Sequence, residues 1–207
     1  MRTRVKICGI TRVEDARATA QLGADAIGLV FYARSPRCVR LDQARAITAA
    51  VPPFVTVVGL FVDPTRDQVE SVLRGCPIGL LQFHGDEAPD FCGSFGLPYI
   101  KAARVRPETD LVQYLSPYHE AQGWLLDAYH DQLYGGTGES FDWKLIPRDL
   151  ARPVILSGGL TPDNVGAAVR QARPWAVDVS SGVEAAKGVK DAAKIAAFVT
   201  GVKNENA

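Results

Sequence analysis

The sequence predicts an α/β protein with the architecture of a single-domain (βα)8 TIM barrel, and three observations lead there. Eight short β-branched or apolar runs recur along the chain. Each is followed by a polar turn and a longer stretch with apolar residues at helical spacing, and the whole series fits into 207 residues. Alternation of this kind means parallel strands joined by helical crossovers. About 26 residues per unit suits a closed barrel with short loops and small helices. An open doubly wound sheet would use the same strand signals, but usually fewer of them at this length. Residues 1–207 are expected to form one domain, because two independent domains would be cramped.

The strands fall at 4–8, 26–31, 54–61, 79–83, 99–104, 124–127, 153–157 and 176–179. Helix starts are readable between them. Thr11 with Glu14 three residues on has the form of a capping box, Asp42 precedes an Ala-rich run, and Pro64 with Thr65 opens a third helix. Gly23 and Gly75 suit helix ends. The sixth unit is irregular: residues 129–149 hold Gly135-Gly-Thr-Gly138 and only a short helical candidate around Trp143, the pattern of a functional loop. The tail from Lys203 onward is expected to fray.

Charge is balanced, with 23 basic and 23 acidic side chains, so no overall field recruits nucleic acid or an anionic membrane surface, and a small-molecule substrate is the expected partner. The N-terminal residues are basic but lack the apolar run of a signal peptide, and no stretch of about 18 apolar residues occurs, so a cytoplasmic protein is expected. Cys8, Cys38, Cys76 and Cys92 lie far apart with no C-x-x-C pair or zinc-type spacing, and are expected to be reduced thiols.

Active sites of parallel barrels collect at the C-terminal ends of the strands, where side chains alternate between lumen and helix layer. Lys6 and Cys8 share one face of the first strand, and Cys8 is the last lumen-facing residue before Gly9. A lone cysteine is more often a small buried hydrophobe. Here, however, the sixth strand is apolar until it ends in Asp127, so a potential base and a potential acid can meet across the barrel mouth. Leu156-Ser-Gly-Gly-Leu160 follows the seventh strand and Asp178-Val-Ser-Ser-Gly-Val-Glu184 the eighth. Both bring small residues to loops that in barrels frequently bind phosphate through backbone N–H groups, which marks Gly158, Gly159, Ser180, Ser181 and Gly182. Arg37 could grip a carboxylate through its planar fork, His84 could bind or orient a ligand, and Asp178 could accept hydrogen bonds from sugar hydroxyls or brace the phosphate loop.

Taken together, Lys6-Ile-Cys-Gly9, Gly28-Leu-Val-Phe31, Ser35-Pro-Arg37, Gln82-Phe-His-Gly85, Leu126-Asp127, Gly135-Gly-Thr-Gly138 with Phe141-Asp-Trp143, Ser157-Gly-Gly-Leu160 with Asn164, and Asp178-Val-Ser-Ser-Gly-Val-Glu184 with Gly188-Val-Lys-Asp191 resemble the phosphoribosylanthranilate isomerases of tryptophan biosynthesis. The match runs from the first strand almost to the C-terminus. Departures are slight: Phe83 stands where leucine is common in the family, and Ser157 where alanine is common. The resemblance implies a (βα)8 barrel with no metal or organic cofactor that performs an Amadori rearrangement of N-(5-phosphoribosyl)anthranilate. It further implies Asp127 as general acid, Cys8 as general base and Arg37 on the anthranilate carboxylate. Asp178 would take the ribose hydroxyls, the loops at Gly158-Gly159 and Ser180-Ser-Gly182 the phosphate, and His84 would be a further substrate-binding residue. A monomer and a homodimer are both compatible with these motifs. The histidine-pathway isomerase performs the same rearrangement in a similar barrel but typically uses aspartate where Cys8 stands. A lyase forming a Schiff base through Lys6 or Lys101 is a second alternative, and a non-catalytic phosphate-ligand binder a third.

Overall fold

The computed structural model describes residues 2–106, 108–128, 142–147 and 150–205. Its eight parallel strands close in chain order: β1 (Arg4–Ile7), β2 (Ala26–Val30), β3 (Thr56–Phe61), β4 (Leu80–Phe83), β5 (Tyr99–Val105), β6 (Gly123–Ala128), β7 (Val154–Leu156) and β8 (Ala176–Val179). Pairing of β1 with both β2 and β8 completes the ring and leaves no open edge. The crossovers carry α1 (Val13–Gln21), α2 (Leu41–Thr48), α3 (Arg66–Gly75), α4 (Pro89–Gly93), α5 (Leu111–Leu115), α6 (Val165–Ala172) and the closing α7 (Ala192–Asn204). The predicted fold class is the one observed, with strand ends displaced by one or two residues. At β3 the reason is local: Phe54 has a φ of 70°, which interrupts the expected extension before Thr56.

Two of the three helix starts differ from expectation. The capping box at Thr11 does not form. α1 begins at Val13 with Arg12 as its N-cap, and the Thr11 hydroxyl donates to the Gly188 carbonyl, a tertiary partner in place of a local one. Asp42 lies inside the first turn of α2, which follows Arg40. Thr65 does cap α3, reciprocally with Gln68. Gly23 follows the end of α1 at a φ of 92°, and Gly75 is the last residue of α3. In the sixth unit, Trp143–Leu145 form a 3-10 turn. Residues 129–141 and 148–149 of that stretch, including Gly135-Gly-Thr-Gly138, lie outside the described residues. A hairpin not anticipated from the sequence, β9 (Glu184–Ala186) with β10 (Val189–Lys190), follows β8.

Side-chain alternation separates two cores. Val5, Ile7, Leu29, Phe61, Leu81, Phe83 and their neighbours pack outward against the helices. Phe83 lies within 5.9–6.2 Å, centroid to centroid, of Phe61, Phe91, Phe95 and Tyr99, so the larger ring at this position fills the helix layer between β4 and α4. Ile100, Ala102, Leu125, Ile155 and Ala176 point inward and plug the bottom of the barrel. Full burial of side chains of this kind stabilises by about 1.5–3 kcal/mol for each large one. Above that plug the lumen turns polar. No helix among the described residues is long and apolar enough to cross a membrane.

Candidate active site

Strand parity brings the predicted acid, base and ligand-binding side chains to one place. Cys8, Arg37, His84, Asp127, Asp178 and Ser180 all line a cavity of about 180 Å³ at the C-terminal mouth of the barrel. Gly158, Gly159, Ser181 and Gly182 stand in the adjoining loops and are not part of the cavity wall. The backbone fixes each strand end: the Cys8 N–H donates to Val179, that of His84 to Phe61, and that of Ser157 to Leu126.

At the wall formed by β1 and β8, Lys6 donates to Asp178 at 2.8 Å, and both are buried. Burial opposes the Lys6 ammonium, but Asp178 and then Cys8 outweigh it and hold it above its ordinary value. The Cys8 thiol is pushed up. Burial is the main cause, Asp178 adds to it, and Lys6 and Lys190 pull the other way. Lys6 therefore favours the thiolate, but burial and Asp178 outweigh it. Gly28 on β2 creates the space for this pair: a Cβ there would lie 2.7 Å from Cys8 Sγ and 3.2 Å from Lys6 Nζ.

Across the cavity, His84 joins two strands. Its Nε2 lies 3.1 Å from Asp127 Oδ2 and its Nδ1 3.0 Å from Gln82 Nε2. All three side chains are buried. The Gln82 nitrogen donates to Nδ1, so the neutral ring carries its proton on Nε2 and donates to the Asp127 carboxylate.

The Arg37 fork engages Glu184 through Nε at 2.7 Å and Nη2 at 2.8 Å, which fixes the plane of the guanidinium at the cavity wall. Glu184 also accepts from Lys190 Nζ at 2.9 Å, and Lys190 donates in turn to the Ser180 carbonyl at 3.0 Å. Burial pushes the Glu184 carboxyl up, but Arg37 and Lys190 together bring it below its usual range. Burial lowers the Lys190 ammonium, with Glu184 opposing. Arg37 and the loop after β8 are thus bound into one charged chain through the hairpin.

The loops after β7 and β8 are shaped by glycine. Gly158 and Gly159 have φ values of 87° and 61°. Asn164 ties the turn together, its Nδ2 donating to the Gly159 carbonyl at 2.9 Å and its Oδ1 accepting from Thr161 N–H at 2.8 Å. A side chain on Gly182 would collide with the Leu160 carbonyl, so the two loops touch backbone to backbone.

Such an arrangement offers a proton donor and a proton acceptor around one cavity, with an anchored guanidinium and small-residue loops at its rim. It does not suit Schiff-base chemistry through Lys101. That side chain faces the helix layer, fully buried against Glu87 at 2.8 Å and the Gly85 carbonyl. Sequence reasoning overlooked Glu184, Lys190 and Gln82. Only Gln82 carried a usable signal, its lumen parity with His84 two residues on.

The family model described as N-(5'phosphoribosyl)anthranilate (PRA) isomerase matches residues 5–201. An N-(5'-phosphoribosyl)anthranilate isomerase of Thiobacillus denitrificans is 61% identical over 203 residues, 98% of this chain and 99% of that protein. The crystal structure of phosphoribosyl anthranilate isomerase from Thermotoga maritima superposes with a TM-score of 0.90 at 42% identity, covering 98% of this chain and 99% of the other. A crystal structure of a phosphoribosyl anthranilate isomerase in complex with reduced 1-(o-carboxyphenylamino)-1-deoxyribulose 5-phosphate gives a TM-score of 0.87 at 41% identity, with 98% of this chain and 99% of the other covered. Barrel and sequence agree, and the chain belongs to the N-(5'-phosphoribosyl)anthranilate isomerase family.

Proposed function

We propose that this chain isomerises N-(5-phosphoribosyl)anthranilate to 1-(2-carboxyphenylamino)-1-deoxyribulose 5-phosphate in tryptophan biosynthesis, with Asp127 as general acid and Cys8 as general base. The observation that carries the assignment is that the two side chains line the same cavity, on β6 and at the end of β1. Protonated Asp127 gives its proton to the furanose ring oxygen as the C1–O bond breaks, and the anthranilate nitrogen supplies the electron pair that forms the C1=N bond. The proton on C2 becomes acidic, and Cys8 thiolate removes it to leave an enolamine. Loss of the O2 proton and protonation of C1 then give the ketone. Substrate and product have the same composition, so no external oxidant or reductant enters the balance.

Burial raises the proton affinity of the Cys8 thiol, which makes the thiolate scarcer but a stronger base once formed. Arg37, held in plane by Glu184, keeps N–H groups for the anthranilate carboxylate. Asp178 faces the ribose hydroxyls, His84 orients Asp127, and the backbone of Gly158, Gly159, Ser180, Ser181 and Gly182 receives the phosphate. A thiol base must stay reduced, and all four cysteines are free, which supports work in the reducing cytoplasm.

Turnover of freshly generated phosphoribosylanthranilate, followed by loss of its fluorescence, tests this reading. Cys8→Ala and Asp127→Asn are each expected to lower kcat by about 10²–10⁴-fold while the folded variants still bind product analogues. Near-normal turnover in both would overturn the mechanism, and activity on the histidine-pathway substrate alone would overturn the substrate.

A further inference from the structure

Gln82 projects from β4 into the polar layer of the lumen and has no exposed area. Its amide nitrogen is satisfied by His84 Nδ1 at 3.0 Å, while its Oε1 is buried without a hydrogen-bond partner. A buried orphan acceptor costs about 1–3 kcal/mol and calls for an explanation. The arrangement has a direct chemical reading. With Nδ1 accepting, the ring proton sits on Nε2 and points at Asp127 Oδ2, 3.1 Å away, which is the pattern of an ionised Asp127.

A general acid needs one more proton on this dyad. That proton can reside on Asp127 Oδ2, the oxygen facing Nε2, with the neutral ring then protonated at Nδ1, or on the ring as imidazolium beside the carboxylate. In both forms Nδ1 becomes a donor and needs an acceptor where the Gln82 nitrogen now stands. A half-turn of the Gln82 amide supplies one, placing Oε1 at that point with no change in backbone or in the volume filled. The orphaned oxygen is then the half of the amide reserved for the proton-loaded state.

We propose that Gln82 is a positioning residue that serves both proton states of the Asp127–His84 dyad, presenting nitrogen to the unloaded form and oxygen to the loaded one. This inference rests on the assignment of Asp127 as general acid. The other charged and titratable groups around the dyad are Cys8 and Lys6 on the β1 side and Arg104, which is in register with Asp127 on β5. Among the described residues, Asp178 on β8 and Tyr32, Arg34, Arg37 and Lys187 on the rim complete the set, while the end of β3 contributes only apolar Leu60 and Val62 to the cavity and the turn after β7 the hydroxyl of Ser157. All are unchanged in a Gln82 variant, so a difference between variants reports the amide.

The chain has three histidines, and ¹⁵N-histidine labelling, with His84→Asn to assign the signals, reads the protonation of each His84 nitrogen directly. In the wild type, His84 Nδ1 is expected to gain its proton as pH falls, with a midpoint shared by one limb of the kcat–pH profile. In Gln82→Glu, which favours the loaded form, both midpoints move up together by about one pH unit while the other limb stays. In Gln82→Met, of similar volume but unable to bond either state, kcat falls about tenfold and KM changes by less than about threefold. The proposal is overturned if Nδ1 stays unprotonated wherever the enzyme turns over, if Gln82→Glu leaves both midpoints in place, or if Gln82→Met keeps full kcat. Should Gln82→Glu fail to fold, the wild-type spectrum and Gln82→Met decide. Asp127→Asn separates the two claims. Near-normal turnover there removes the acid assignment itself, whereas an inactive Asp127→Asn beside indifferent Gln82 variants removes only the role of the amide.

Discussion

Lys6 and Lys101 are both buried in the barrel wall, and both pair with a carboxylate at 2.8 Å, yet they face opposite ways. Lys101 points into the helix layer. Glu87 and the Gly85 carbonyl accept from it, the Tyr118 ring lies 5.3 Å from its Nζ, and Glu87 is itself held by the N–H groups of Asp63 and Gly85. Lys6 points into the lumen, where its partner Asp178 lines an open cavity and its second neighbour is a titrating thiol. The same ion pair is architecture when every donor and acceptor is taken up by the protein, and chemistry when one side is left to a ligand.

The sharpest way to break that contrast is to remove each charge. Lys6→Met withdraws the nearest cation from Cys8, so kcat at neutral pH is expected to fall about a hundredfold, with a smaller loss of stability. Lys101→Met leaves Glu87 buried without its cation, with only the Asp63 and Gly85 N–H groups to hold it. Urea denaturation should show a loss of about 3–5 kcal/mol, while kcat of the folded protein stays within about threefold. The reverse outcome in either variant would dissolve the distinction. Arg37→Ala comes next: it removes one partner of Glu184 but leaves Lys190, so KM should rise about tenfold with a lesser change in kcat, and an unchanged KM would exclude Arg37 as the carboxylate clamp.

The smallest effect concerns pH and separates the helix layer from the site. Burial pushes the Cys92 thiol from 9.0 up to about 12. Below about pH 9 the thiol is neutral in folded and unfolded chains alike. Above it, the unfolded chain releases a proton that the folded chain retains up to about pH 12, so stability falls as pH rises across that window. Cys92→Ala should flatten the decline of the urea midpoint between about pH 8 and 11 without altering the pH dependence of turnover. An identical decline in both proteins would remove Cys92 as its source.

How much of this was legible in the sequence depended on the range of the interactions. Strand alternation and the helix start at Pro64-Thr65 are local, and they formed where the pattern placed them, the helix start closed by a Thr65–Gln68 box that the structure adds. The box at Thr11 did not, because the Gly188 carbonyl, 177 residues away, claims its hydroxyl. Cys8, His84, Asp127 and Asp178 could be placed at the mouth because strand parity and strand ends suffice for that. Glu184 could not be recognised, since its function is to hold Arg37 across 147 residues and from a hairpin the repeating pattern does not contain. The direction of Lys101 follows from the register of β5, where Ile100 and Ala102 join the inner plug and Tyr99 and Ala103 the outer core.

Gly28 contributes no atom to the chemistry, but it fixes the depth to which the thiol can sink between the first two strands. A methyl group there would lie 2.7 Å from the sulfur and 3.1 Å from the Cys8 Cα, too close for either, so the thiol would have to give way. The reactive repertoire of this wall is therefore set in part by a missing side chain. Any exchange of Cys8 for a bulkier residue has to be accommodated toward the mouth, since the neighbouring strand is already as thin as a polypeptide can be.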